Sequence, residues 1–240
     1  MTVDTAGIQP LPLGGATTRL RHAVTLANLL RHLDAPCRVL DAAGGHGRDA
    51  ILLAEAGHDV TVLDPAGAML TTAMELAEAH GVADRVHVVQ AMAEDAPELF
   101  EADFDLVLCH NLLQYVEDRV ALLRALSTPL RADGLLSVLG PNPTSGPLHT
   151  AITARDPERA LAELGTSVLG CTADDVLGDL AVVEAEVLAR YGVHCVSGYL
   201  PESECADPEF YAHLEALELA MSTRAPYWPT ARYFHLVARR

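Results

Sequence analysis

The chain has 240 residues, half of them hydrophobic, and a formal net charge of −17, so it is long enough for a sizeable core and its overall field opposes nucleic acid, which would need a local basic patch. All sixteen Lys-or-Arg positions are Arg, which excludes lysine chemistry such as a Schiff base. Five scattered cysteines, an odd number with no C-x-x-C or zinc spacing, point to reduced thiols in a cytoplasmic protein and to no metal, and no apolar run is long enough to span a membrane.

Residues 1–16 read as a loose leader without the charged and apolar regions of a signal peptide. Leu20, Val24, Ala27, Leu30 and Leu33 recur at helical spacing and predict an amphipathic helix over 17–34. Cys37-Arg-Val-Leu-Asp41 predicts a short buried strand, followed by a glycine turn and a helix over 48–56 that Gly57 ends. Asp59-Val-Thr-Val-Leu63 predicts the second strand, 66–80 a helix stopped by Gly81, and 85–90 the third strand. Phe104-Asp-Leu-Val-Leu-Cys109 predicts the fourth strand, 118–130 a helix, and 135–140 a fifth strand entered through Asp133-Gly134. Strands alternating with helices imply a parallel sheet covered on both faces. Pro141-Asn-Pro-Thr-Ser-Gly-Pro147 breaks the rhythm. Residues 148–190 read as mostly helical, and two further strands are expected at 192–199 and 232–238, joined by a helix near 208–223. The expected fold is α/β: a Rossmann-like, seven-stranded, mostly parallel sheet. A single domain spans 1–240, with an N-terminal helical segment (1–34) and a helical insertion or cap (141–190).

The motif that carries chemistry is Asp41-Ala-Ala-Gly-Gly-His-Gly47, between a strand and a helix. Open α/β sheets bind ligands at the carboxyl ends of their strands, where glycines let the backbone approach the ligand. Gly45-His-Gly-Arg-Asp-Ala50 also fits the dinucleotide fingerprint G-x-G-x-x-A. Asp41 separates the two readings. A carboxylate at the mouth of the turn repels a pyrophosphate on the helix N-terminus and favours an ammonium and a sulfonium, as in S-adenosylmethionine. Asp64, ending the second strand, suits ribose hydroxyls in either scheme. Ala93, Glu94 and Asp95 follow the third strand and are further candidates for the cofactor site. His110 and Asn111 end the fourth, and Met69 in the intervening helix is a further cofactor-lining candidate.

These motifs resemble the class I S-adenosylmethionine-dependent methyltransferases, and within them the tRNA 5-carboxymethoxyuridine methyltransferases. The likeness runs from about residue 15 to 240, outside the insertion. It rests on Thr17-Thr-Arg-Leu-Arg-His-Ala23, Arg38-Val-Leu-Asp-Ala-Ala-Gly-Gly-His-Gly47, Ala56-Gly-His-Asp-Val-Thr-Val-Leu-Asp64 and Leu108-Cys-His110. More specific are Gly192-Val, Tyr199-Leu200, Leu214-Glu-Ala-Leu-Glu218, Pro226-Tyr227 and Arg232-Tyr-Phe-His-Leu-Val-Ala-Arg239. The resemblance implies S-adenosyl-L-methionine as cofactor. It implies Arg21 on the methionine carboxylate, Ala43, Gly44 and Gly45 along the methionine moiety, Asp64 on the ribose, Ala93 and Glu94 on the adenine, and His110 on the methionine side. Two departures stand out. Ala43 replaces the usual first glycine, and the family's lysine-rich stretch is here the acidic Thr172-Ala-Asp-Asp-Val-Leu-Gly-Asp-Leu180.

Methyl transfer is an in-line displacement in which the protein supplies position and electrostatics. A carboxylate acceptor needs no base, whereas for a phenol or amine His110 or His149 is the candidate. Tyr199, Arg224, Tyr227 and Arg232 are the candidates for acceptor recognition. The acidic surface favours a small-molecule or carboxylate acceptor. The alternatives are tRNA wobble-uridine carboxyl methylation, opposed by the charge, and a cofactor-binding protein without catalysis. No membrane partner is expected, and no feature specifies an oligomer.

Overall fold

The computed structural model describes residues 14–164 and 171–240. The chain runs α1 (Ala16–Leu29), β1 (Arg38–Ala42), α2 (Arg48–Glu55), β2 (Asp59–Leu63), α3 (Gly67–Ala79) and β3 (Val86–Val89). A short α4 (Ala96–Leu99) precedes β4 (Phe104–His110), α5 (Arg119–Ser127) and β5 (Leu130–Pro141). Then follow α6 (Gly146–Ile152), α7 (Pro157–Glu163), α8 (Ala173–Val182), β6 (Glu186–Val193), α9 (Glu202–Cys205), α10 (Pro208–Ser222) and β7 (Tyr233–Arg239).

The seven strands lie in the order β3-β2-β1-β4-β5-β7-β6. The first five are parallel, and β7 runs antiparallel to both β5 and β6. Period-two alternation divides the core into two layers. Val39, Val60, Val62, Leu106 and Leu108 face Leu26 and Leu29 of α1, Ile51 and Leu53 of α2, and Leu70 and Leu76 of α3. Leu40, Leu63, Val107, Leu136 and Val138 face Leu122, Leu123 and Leu126 of α5 and Val176 and Leu180 of α8. The strand order reverses between β1 and β4, so the crevice of an open α/β sheet falls beyond their carboxyl ends.

Local chemistry moves several boundaries. Helix α5 ends at Ser127, because Pro129 cannot continue it. The Asp133-Gly134 pair does not separate helix from strand. It lies inside β5 as an irregularity, with Asp133 at φ +61° and a register shift opposite Phe104 and Leu106. The sixth strand lies at Glu186–Val193 rather than 192–199. Its Glu-Val-Leu-Ala-Arg stretch has helical propensity, but pairing with the buried β7 overrides it.

The chain leaves the sheet at His194, which has φ +61°. The Glu218 side chain, fully buried in α10, accepts the N–H groups of Cys195 (2.8 Å), Val196 (2.8 Å) and Ser197 (2.7 Å) and the Ser197 hydroxyl (2.8 Å). One carboxylate thereby fixes the loop after β6. Glu202 of α9 does the same for the start of α1, accepting from the Ala16 and Thr17 amides and the Thr17 hydroxyl. The expected insertion divides in two. Helices α6 and α7 pack on each other, while α8 joins the core beside α5 and β6. Of the expected leader at 1–16, residues 1–13 lie outside the described residues, as does the stretch 165–170, and Ala16 already begins α1.

Glu218→Ala leaves three buried amides without an acceptor. It is expected to lower folding stability by about 3 kcal/mol in urea titrations, with Glu218→Gln intermediate. A loss below about 0.5 kcal/mol would show that the carboxylate does not hold this loop.

Candidate active site

The turn after β1 shapes the cleft. Ala43, Gly45 and Gly47 have φ of +56°, +57° and +68°. Left-handed backbone suits glycine, so Ala43 carries the strain that its departure from the usual glycine implies. Gly44 is needed for another reason: a Cβ there would lie 2.5 Å from Asp41 Oδ2. A Cβ on Gly45 would meet nothing within 4 Å, so that side of the turn is open. Most of the turn's amides are already engaged. Ala43 and Gly44 donate to Leu63 O (2.7 and 3.4 Å), Gly47 to Gly44 O (2.9 Å), and Gly45 to Asp64 Oδ2 (2.9 Å). Few N–H donors are therefore left to cradle a pyrophosphate here.

A cleft of about 340 Å³ opens at this turn. It brings together Arg21 and His22 of α1, Asp41 of β1, residues 43–46 of the turn, Arg48 and Asp49 of α2, and His110 and Asn111 after β4. Asp41 is buried and has no hydrogen-bond partner among the described residues. Burial, together with Asp49 and Asp64 nearby, holds its carboxyl well above the usual range. Asp49 behaves oppositely. His22 Nδ1 lies 2.6 Å from its Oδ1 and His110 Nδ1 2.8 Å from its Oδ2, and against its burial these histidines hold the carboxyl well below the usual range.

The hydrogen bonds of this network have one consistent direction. Arg21 Nη2 donates to His22 Nε2 at 3.0 Å, and His22 Nδ1 donates to Asp49. His110 donates from Nδ1 to Asp49 and accepts the Ser137 hydroxyl on Nε2 (2.8 Å). Ser137 Oγ accepts from His235 Nε2 at 2.9 Å, and the remaining His235 nitrogen is buried and unpartnered. This direction leaves His235 Nδ1 as a bare acceptor rather than a stranded N–H, and burial and His110 keep His235 neutral. Both ring nitrogens of His110 are thus engaged inside the protein, and neither is free to act as a base.

Other expected residues fall elsewhere. Asp64 lies beside the turn, its Oδ1 accepting from Ala66 N (2.9 Å). Ala93 is buried and Glu94 exposed, while Asp95 accepts the Met92 amide (3.1 Å) on one oxygen as a local cap. Met69 is exposed on the first turn of α3. Ala93, Glu94, Asp95 and Met69 do not line the cleft. On the β5-β7-β6 side, Arg232 Nη1 lies 3.5 Å from Ser145 Oγ, and the His149 and Tyr199 rings stand 6.2 Å apart. Arg224 and Tyr227 are exposed on the loop before β7 and do not join this cluster through any side-chain hydrogen bond. His22, Arg48, Asp49, Ser137 and His235 were not singled out from the sequence. The signals that point to them are the adjacency of Arg48 and Asp49 to the glycine turn and the place of His22 and His235 in stretches that carry the resemblance.

A methyltransferase-domain profile matches residues 39–134. A tRNA 5-carboxymethoxyuridine methyltransferase of Escherichia coli (strain K12) is 31% identical over 238 residues, covering 95% of this chain and 90% of that protein. The chain belongs to this family of S-adenosylmethionine-dependent methyltransferases. Among solved structures, geranyl diphosphate methyltransferase with GPP and sinefungin superposes with a TM-score of 0.59 at 19% identity, covering 99% and 87% of the two chains. An S-adenosylmethionine-dependent methyltransferase from Mesorhizobium loti gives 0.59 at 20% identity, covering 92% and 100%. The protein is therefore an S-adenosylmethionine-dependent methyltransferase with the class I fold. The cleft fits that cofactor: among the described residues its buried carboxyl has no donor and can meet an ammonium, and its guanidiniums have no acidic partners and can meet a carboxylate.

Asp41→Asn tests this electrostatics in the ligand-free protein. A carboxyl whose folded pKa is raised stabilises at low pH and loses that contribution as pH rises through its folded value. The variant is expected to melt higher than wild type at about pH 8, with the gain shrinking as pH falls. Equal or lower melting at every pH would contradict the assignment.

Proposed function

We propose that the enzyme methylates a carboxylate on a small acceptor, forming a methyl ester, and that it works in the cytoplasm. The observation that carries the acceptor class is the closed ring of His110, both of whose nitrogens are held by Asp49 and Ser137. A carboxylate is already ionised and needs no base to attack; a phenol or amine does. His149 stands beside Tyr199, and burial and Arg232 lower its pKa; it is the base that a phenol or amine acceptor would call on, and the pH profile below separates that case from a carboxylate, which needs none.

When bound, S-adenosylmethionine supplies an electrophilic methyl group on a sulfonium. In this reading Asp41 meets its ammonium and Arg21 its carboxylate, with Gly44 and Gly45 giving close backbone approach. Asp64 takes the ribose hydroxyls on its remaining lone pairs, and Ala93 and Glu94 border the adenine. His110, held rigid, walls the methionine side as a positioning residue. Arg232 has no acidic partner among the described residues and is assigned to the acceptor carboxylate, with Tyr199 beside it. Helices α6 and α7 are assigned as the cap over this end, within a single domain.

The curated relative acts, by its name, on tRNA, and its match extends through the C-terminal portion. That supports the second reading, a wobble-uridine carboxyl as acceptor. Charge supports the first. Residues 141–240 hold seven Arg against fourteen Asp or Glu. Many of the arginines are also paired with acids away from the cleft, as in Arg119–Asp179, Arg85–Asp59 and Arg239–Glu186. Few phosphate contacts remain, and each one lost weakens nucleic-acid binding at physiological salt. The five cysteines are unpaired, in keeping with a reducing compartment, and among the described residues no helix is long and apolar enough to cross a membrane.

The test is transfer of labelled methyl from S-adenosylmethionine to total tRNA and to a small-molecule extract. The expected product is a small molecule whose label is released by mild alkali, as from a methyl ester, with kcat flat across about pH 6.5–8.5. Alkali-stable label, or a rate rising through a histidine-like pKa, would overturn the carboxylate assignment. Alkali-labile label confined to tRNA would select the second reading.

A further inference from the structure

Arg48 is a second cation in the cleft that no motif assigns. It is the first residue of α2, directly after the glycine turn, and it lines the cleft with Arg21. The protein carries 33 acidic side chains against 16 basic ones, so an arginine without a carboxylate is unexpected. Yet among the described residues neither Arg21 nor Arg48 makes an ion pair. Arg21 touches His22 Nε2 and lies 5.4 Å over the Tyr233 ring. Arg48 has no hydrogen-bond partner among these residues, and its Nε is buried and unsatisfied. The nearby carboxylate, Asp49, has both oxygens committed, one to His22 and one to His110.

Burial and the neighbouring Arg21 both disfavour the Arg48 charge. Two guanidiniums lining one cleft, one with a buried N–H left open, leave local positive charge that an anion would neutralise. An isolated buried N–H costs free energy unless a partner arrives. We propose that Arg48 joins Arg21 in a two-guanidinium clamp for the amino-acid carboxylate of S-adenosylmethionine. This rests on the reading that the cleft takes the methionine end of the cofactor. A carboxylate has four acceptor directions, so one guanidinium can bind it as a fork and still leave lone pairs for the other. The clamp gives the cleft a dipolar form: Asp41 for the ammonium, the arginine pair for the carboxylate.

The test is calorimetric binding of two probes to the full chain: S-adenosylhomocysteine, and its decarboxylated analogue, which keeps the ammonium and the adenosine. Arg48→Gln is expected to weaken S-adenosylhomocysteine about tenfold or more and to leave the analogue within about twofold. Unchanged affinity for both, or equal loss on both, would overturn the clamp. If Arg48→Gln fails to fold by circular dichroism, Arg48→Lys serves instead. It keeps the charge but not the fork, so a smaller loss confined to S-adenosylhomocysteine supports the clamp and a loss shared by both probes refutes it. Arg21→Gln separates the two layers of the argument. If it too leaves S-adenosylhomocysteine unaffected, the placement of the methionine end is wrong; if only Arg48→Gln is silent, the clamp alone falls.

Discussion

Three carboxylates, Asp41, Asp49 and Asp64, are drawn together around a single glycine turn, and only two of them find donors among the described residues. Asp49 is held by His22 and His110, and Asp64 by the amides of Gly45 and Ala66. Asp41, buried beneath Gly44, has none among the described residues. Like charges in a low-dielectric site repel strongly, so this arrangement costs stability until a cation arrives. The other half of the cleft carries the complementary deficit, guanidiniums without acids. The cleft is thus unbalanced in two opposite senses, as a site for a zwitterionic amino-acid group should be.

The sheet makes this arrangement unavoidable. Strands β1 and β4 are neighbours at the point where the strand order reverses, so the turn after β1 and the His110 end of β4 open on the same crevice. Helix α2 starts directly from the turn and delivers Arg48 and Asp49. Helix α1, packed through Leu20 and Val24 against Leu139, Val193 and Leu214, brings Arg21 and His22 from the other side. Ser137 of β5 and His235 of β7, diagonal neighbours on adjacent strands, anchor His110 from within the core. The same contacts engage both ring nitrogens of His110, which suits an acceptor that needs no base.

Much of this was legible in the sequence because its signals are local. The apolar runs of β1, β2 and β4 and the glycine-terminated helices gave the five parallel strands, and the Asp41–Gly47 motif located the crevice. What escaped depends on tertiary contact. The stretch at 186–190 has helical propensity and becomes a strand only because β7 lies beside it. Glu218 reads as a helix-surface acid, yet it organises a loop more than twenty residues upstream. Asp49 reads as an ordinary first-turn acid, and only the approach of α1 and β4 makes it the hub of a buried network. The structure places Arg21 in the cleft and Asp64 beside the turn, whereas Arg224, Tyr227 and Asp95 lie away from the cleft, because position along the chain does not fix side-chain direction.

The most direct test of the cleft's electrostatics is the proton balance of cofactor-product binding. S-adenosylhomocysteine would be titrated calorimetrically in buffers of different ionisation enthalpy between about pH 5.5 and 7.5. If its ammonium meets Asp41, binding lowers the raised carboxyl pKa and releases protons, increasingly so toward the acid end, and Asp41→Asn abolishes that release. Binding with no proton release, or tighter binding of NAD than of S-adenosylhomocysteine, would contradict the account.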